Sequence, residues 1–301
     1  MGLTRAMVEH GPGSTRYREV LIPSADTHIV LSVWEADDTS APVVVFVPGT
    51  MTHPLVYAES LNNLADRGTT VVGVHPVGHG NNPRTRGVIR LDDIVANARD
   101  AVDWAAEHFD GSLVISGSSQ GGIVALLAAV DAHPRVTGCI AHNVLLPDLP
   151  ESLSVTRLPH WLQAHYSLLR RAIRVLGDLV PGLPVPFGFY LDPKRVFTNP
   201  AEQREFLDDR RNLGSYPLRL LADLLTFDTR PITSGAIKVP VHVLASTGDP
   251  LFSYGYVKAV SARISAPRVE MVLLDLPMHL IFVAAPAQTV AALTEVLAKL
   301  R

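Results

Sequence analysis

Cysteine is nearly missing from the chain: one thiol, Cys139, in 301 residues. A disulfide framework within the chain is excluded, and Cys139, inside the apolar run 136–141, reads as a small core residue. That fits a reducing cytoplasm, the location expected. Surplus charge is missing too. Lysine and arginine number 26 against 29 aspartates and glutamates, a net charge of −3. This balance offers no general attraction for polyanions, so nucleic acid is not an expected partner. Long hydrophobic runs are also lacking. The block 123–130 falls far short of the ~20 residues a bilayer span needs, so no transmembrane segment is expected. Residues 1–14 read as an exposed lead-in, without the apolar stretch of a secretory signal. Gly2 raises myristoylation, but Ala6 stands where serine or threonine is needed.

What the chain does have is 47% hydrophobic residues, enough for a substantial core. Short β-branched runs alternate with helical periodicity. Residues 17–22 and 27–34 read as two strands joined by a turn at 23–26. The unbroken apolar run 42–47 suits a strand buried on both faces of a parallel sheet. Further strands are expected at 70–74, 112–117, 136–141, 241–245 and 269–275. Helices are expected at 56–67, 91–108, 120–132, 257–265 and 286–300, the second from the spacing of Leu91, Ile94, Val95, Ala98, Val102 and Ala105. Such alternation predicts an α/β fold: a mostly parallel central sheet flanked by helices. The rhythm breaks at 148–235, where prolines cluster and Leu169, Ile173, Leu176 and Val180 form a helical stripe. This segment reads as a mainly helical cap inserted into a core made of 1–147 and 236–301.

The chemistry concentrates at Gly117-Ser118-Ser119-Gln120-Gly121. A Gly-x-Ser-x-Gly pattern between a strand and a helix is the nucleophile elbow. A serine that attacks a carbonyl must stand clear on a tight turn, which drives its φ positive. Residues two before and two after then crowd together, and glycine fits. The helix that follows aims free N–H groups at the site. Serine also needs a base, and an imidazole works best when a carboxylate fixes its tautomer. Asp249, in Thr247-Gly248-Asp249-Pro250, follows one late strand. His279, in Pro277-Met278-His279-Leu280, follows the last. The order Ser119, Asp249, His279 is the order of a strand-end triad in this topology.

With Pro48-Gly49-Thr50 and Gly78-His79-Gly80 added, the chain resembles the α/β-hydrolases, in the lysophospholipase and monoacylglycerol-lipase-like branch. The resemblance covers about 15–147 and 236–300. It implies that Ser119 attacks, that His279 is base and then acid, and that Asp249 orients the imidazole. It implies an oxyanion hole from the N–H of Gln120 and a second N–H from the loop after the first buried strand: Thr50, with Met51 next. No cofactor and no metal are implied. Two positions depart from the common family pattern: Pro48 where many members have histidine, and His75 where many have aspartate.

Each position has rivals. Asp148 follows the strand after the elbow helix, where some relatives carry the acid. Asp275 sits too close to His279 in sequence. His79 reads as structural, and His75 with His79 makes a poor metal pair across proline and glycine. Arg170, Arg171 and Arg174 read as a solvated helix side, or else as a clamp for an acidic substrate or a lipid surface. Tyr166, Phe187, Phe189, Tyr190 and Phe197 line an acyl pocket or form the cap's own core. The expected partner is a small ester with a moderately hydrophobic acyl group, with peripheral lipid contact. Thioesterase, lactonase, peptidase and acyltransferase or cyclase chemistry would use the same triad. A silent ligand-binding scaffold is the reading from a different class.

Overall fold

The computed structural model describes residues 16–85 and 87–300. The lead-in expected at 1–14 lies outside the described residues. Strands β1 (Tyr17–Ser24) and β2 (Thr27–Trp34) form an antiparallel hairpin. Strands β3 (Val43–Val47), β4 (Thr70–Val74), β5 (Leu113–Ser118) and β6 (Val136–His142) follow, each separated by helix. The late strands are β9 (Val241–Ser246) and β10 (Val269–Leu274). They join in one eight-stranded sheet of order β1-β2-β4-β3-β5-β6-β9-β10. From β4 onward every pairing is parallel, while β1-β2 and β2-β4 are antiparallel. The all-buried runs at β3 and β4 are the consequence of helices on both faces, which leave no polar side for alternation.

Helices α1 (Ala58–Asp66), α2 (Leu91–His108) and α3 (Gln120–Ala128) cover the sheet, and α1 is preceded by a 3-10 turn at Pro54–Tyr57. Helix α2 spans the residues expected of it, and its Leu91, Ile94, Val95, Ala98, Val102 and Ala105 are all buried. Helix α3 is four residues shorter than expected. Asp131, at φ 54°, turns the chain out of helical geometry just beyond it. Cys139 is fully buried, and burial pushes its thiol up to about 12.

Between β6 and β9 the described chain is mainly helical. Helix α4 (Tyr166–Leu179) packs on α6 (Leu218–Thr226), with Gly177 close against Ala222; α5 (Pro200–Asp208) lies between them in sequence. None of the expected stripe is fully buried: Leu169 and Ile173 are half-buried, Leu176 is 50% exposed and Val180 45%, because the partner helix is short and covers only part of α4. A small antiparallel ribbon, β7 (Pro184–Pro186) with β8 (Ser215–Pro217), was not expected from the proline content. Its prolines sit at the ends of three-residue edge strands, where no ladder N–H is required of them. After β9, helix α7 (Tyr254–Ser261) begins three residues earlier than expected, capped by the Ser253 hydroxyl, which accepts the Tyr256 N–H. Helix α8 (Pro286–Lys299) closes the chain with proline in its first turn. Strands β3, β5, β6, β9 and β10 all release their loops at one sheet edge, and the expected site residues stand there.

Candidate active site

Ser119 follows β5 directly and caps α3, with φ 55° and ψ −119°. This is left-handed backbone, uncommon for a residue with a Cβ. Two glycines make the turn possible. A Cβ on Gly117 would run into the Gly121 carbonyl, and one on Gly121 into the carbonyls of Val47 and Pro48. The elbow is therefore wedged between its own helix and strand β3.

The three expected side chains meet. His279 Nδ1–H donates to Asp249 Oδ2 at 2.9 Å, and Ser119 O–H donates to His279 Nε2 at 3.3 Å. The tautomer follows from the carboxylate, which can only accept. Asp249 Oδ1 accepts the N–H groups of Leu251 (2.6 Å) and Phe252 (3.0 Å). Burial pushes the Asp249 carboxyl up. The His279 bond and charge and the two amides outweigh it, and the acid sits below its ordinary range. The Phe252 ring stacks on the His279 imidazole, with centroids 5.5 Å apart and planes 9° from parallel. An imidazole held flat between a carboxylate and a hydroxyl can take the serine proton and return it to a leaving group.

The sequence reading missed a buried set beneath this series. Asn143, at φ 53°, donates from Nδ2 to Asp249 Oδ2 (2.5 Å) and to His142 Nε2 (2.8 Å). His142 Nδ1–H then donates to Ser118 Oγ (3.1 Å), and the Ser118 hydroxyl reaches Tyr57. Ser118 thus links His142 to Tyr57. The signal was available: an asparagine just past a buried strand at the edge where Ser119 stands. Its left-handed φ could not be read from the sequence.

Thr50 and Gln120 also stand at the site. Among the described residues neither backbone N–H has an acceptor in the protein. Met51, the second choice, has its N–H occupied by the Tyr216 hydroxyl at 2.7 Å. Two pockets meet at Ser119 and Thr50. The larger, about 1060 Å³ counting its open mouth, runs under the insertion and is lined by Ile123, Leu145, Ile173, Leu221, Leu225 and others. The smaller, about 630 Å³ on the same measure, adds Tyr57, Glu202, Glu205 and Val283. Among the expected aromatic residues, Phe189 and Tyr190 line the larger pocket, while Phe187 and Phe197 line the smaller. Tyr166 instead hydrogen-bonds Ser152 and the Pro147 carbonyl.

The rivals are engaged elsewhere. Asp148 pairs with Arg263, and Asp275 accepts the Thr247 hydroxyl. Arg170 donates to the Leu225 carbonyl, tying α4 to α6. His75 donates from Nε2 to Ser32 and accepts the Asn81 N–H at Nδ1. His79 donates from Nδ1 to the Val77 carbonyl.

Four buried histidines near the site are held neutral. Burial drives His142 down to about 3, helped by the His279 charge, and His79 down to about 4; His53 and His75 move the same way by burial. The unfolded chain titrates each near ~6.5 and binds more protons below that value. Their contribution to stability is complete above ~6.5 and drains as pH falls towards 4 and 3. From pH 7.5 to 5, His79 and His142 should each cost roughly 2 kcal/mol. Thermal melts over that range should show a falling Tm well before carboxylates titrate. A Tm constant from pH 7.5 to 5 would refute buried neutral histidines.

Residues 38–284 match the family model of serine aminopeptidase, S33. The chain belongs to that family. Among solved structures, the S33 chain is similar to a monoacylglycerol lipase from Paleococcus ferrophilus: 20% identity over 91% of this chain and 99% of that one, TM-score 0.72. A soluble variant of monoglyceride lipase from Saccharomyces cerevisiae, in complex with a substrate analog, gives 15% identity, 95% and 96% coverage, and TM-score 0.75. A thermophilic esterase from Thermogutta terrifontis gives 18% identity, 94% and 99% coverage, and TM-score 0.61. These likenesses establish the α/β-hydrolase fold expected from the sequence. No curated protein matches the sequence significantly.

Proposed function

We propose that this S33 chain is a carboxylic ester hydrolase working through an acyl-enzyme on Ser119. The observation that carries the proposal is the hydrogen-bonded series Ser119–His279–Asp249 at the junction of two pockets, the larger of them apolar. His279 takes the Ser119 proton as Oγ attacks the ester carbonyl, and then returns it to the leaving alcohol. The carbonyl oxygen gains charge between the N–H groups of Thr50 and Gln120, contacts worth ~3 kcal/mol each when aimed at the transition state. Water then repeats the attack, again with His279 as base. The acyl group fills the larger pocket, roofed by the 148–235 insertion acting as a cap, and the alcohol leaves through the smaller one.

No described helix is long and apolar enough to cross a membrane. On the cap, Trp161, Leu168, Leu179 and Phe189 are exposed, and so are Arg171 and Arg174 on the helix that carries Leu168 and Leu179. Phe189 also lines the larger pocket. This supports peripheral lipid contact at the mouth of the acyl site as part of the same reading.

The test is a panel of p-nitrophenyl esters of graded chain length beside thioesters, lactones and aminoacyl amides. Each added methylene should raise kcat/KM by up to ~4-fold until the pocket fills, from ~0.8 kcal/mol per buried methylene. The longest ester should turn over faster from anionic vesicles than as monomer. Rates independent of chain length would contradict an apolar acyl site. A second reading, hydrolysis of a substrate with a free amino terminus, draws on Glu202 and Glu205 in the smaller pocket. Glu202 is already occupied by the Thr198 N–H and the Asn199 side chain, which favours the ester. Faster turnover of aminoacyl amides than of esters would reverse that order. A folded protein that takes no fluorophosphonate on Ser119 would leave the silent scaffold as the reading.

A further inference from the structure

Met51, next to Thr50, holds a left-handed φ of 62°. A side-chain-bearing residue keeps that conformation only where its surroundings hold it. Both of its peptide groups are held by the insertion. The Met51 N–H donates to the Tyr216 hydroxyl at 2.7 Å, and the Met51 carbonyl accepts the Leu213 N–H at 2.9 Å. Tyr216 lies in β8, 165 residues away in sequence, and is fully buried.

The direction of each bond at Tyr216 is determined. His79 Nδ1–H is spent on the Val77 carbonyl, so Nε2 can only accept, and the Tyr216 O–H donates to it at 2.9 Å. The phenol oxygen is left with its lone pairs, which take the Met51 N–H and the Gln120 side-chain amide. On the other flank of Thr50, the Gly49 N–H donates to the Tyr57 hydroxyl at 3.0 Å. Glycine suits position 49, since a Cβ there would press on that hydroxyl. Two phenols therefore occupy the N–H groups on both sides of Thr50. The Thr50 N–H is left without an acceptor among the described residues.

We infer that Tyr216 is a positioning residue for the oxyanion loop, joining the cap to the catalytic apparatus through Met51 and Gln120 and anchored by His79. The inference rests on the ester-hydrolase reading. In it, His79 of the Gly-His-Gly turn orients the phenol of a distant segment. Rearrangement of segment 213–216 would release Met51 from its strained turn and move Thr50 with it. Cap position and oxyanion binding are thus one coupled property.

The experiment compares wild type with Tyr216→Phe and His79→Ala on one p-nitrophenyl ester, with a boronic acid as tetrahedral analogue. Tyr216→Phe should lower kcat by ~10–100-fold, the range set by losing oxyanion-loop geometry. KM should change less than ~3-fold, and boronate affinity should fall by the same factor as kcat. His79→Ala should show the same split to a smaller degree. Hydrogen exchange of the peptide covering 49–53 should quicken in both variants, while the β3 peptide stays protected. An unchanged kcat and boronate affinity, with only a lowered Tm, would overturn the inference and leave the ester reading standing. If Tyr216→Phe does not fold, His79→Ala decides by the same criterion. A wild type that is not labelled by a fluorophosphonate sinks the ester reading, and this inference with it.

Discussion

Replacing Ser119 with alanine should lower kcat by ~10⁴–10⁶-fold while leaving the fold intact, since members of a triad act as a unit. The structure explains why stability should survive. The Ser119 hydroxyl bonds to His279 Nε2, at 3.3 Å. Both residues line the smaller pocket, where water can replace the hydroxyl. The left-handed turn is as costly for alanine as for serine, so the backbone strain does not change. Turnover assays with circular dichroism and a thermal melt check this. Retention of more than about one per cent of the activity would place the nucleophile elsewhere.

The second large effect belongs to Asp249→Asn. Oδ1 accepts two backbone amides, so an asparagine must keep its carbonyl oxygen there. Its NH₂ then occupies the Oδ2 position, facing the Asn143 NH₂ and His279 Nδ1–H, both of them donors. His279 can relieve the conflict by shifting its proton to Nε2, which removes the lone pair that accepts from Ser119. Activity should fall by ~10³–10⁴-fold, as expected when a triad imidazole is held in the wrong tautomer. The Asn143 amide can present its Oδ1 to the new NH₂ only by giving up its donation to His142 Nε2, so Tm should fall as well. Asp148→Asn is the control. It breaks the pair with Arg263 and should leave kcat within ~2-fold. Equal losses from both variants would mean the acid has been misassigned.

Much of the architecture was legible because it depends on local pattern. Valine-rich runs at 43–47 and 70–74 predict strands covered on both faces, and the structure buries every residue of them. The crowding of Gly117 against Gly121 follows from the turn that a Gly-x-Ser-x-Gly segment must make. The insertion was read less well. Exposure of Leu176 and Val180 depends on how far α6 extends over α4, and the β7–β8 ribbon joins residues about 30 apart with no hairpin signal between them.

The sequence by itself determined the fold class and the chain order of hydroxyl, carboxylate and imidazole. Strand and helix periodicity, and strand-end loops, are properties of neighbouring residues. The tertiary structure alone decided which polar groups support them. Asn143 reaches Asp249 across 106 positions, and Tyr216 reaches Met51 across 165. Hydrogen bonds over such separations leave no periodic trace, because each depends on where two independent segments end and which lone pairs their neighbours have already filled.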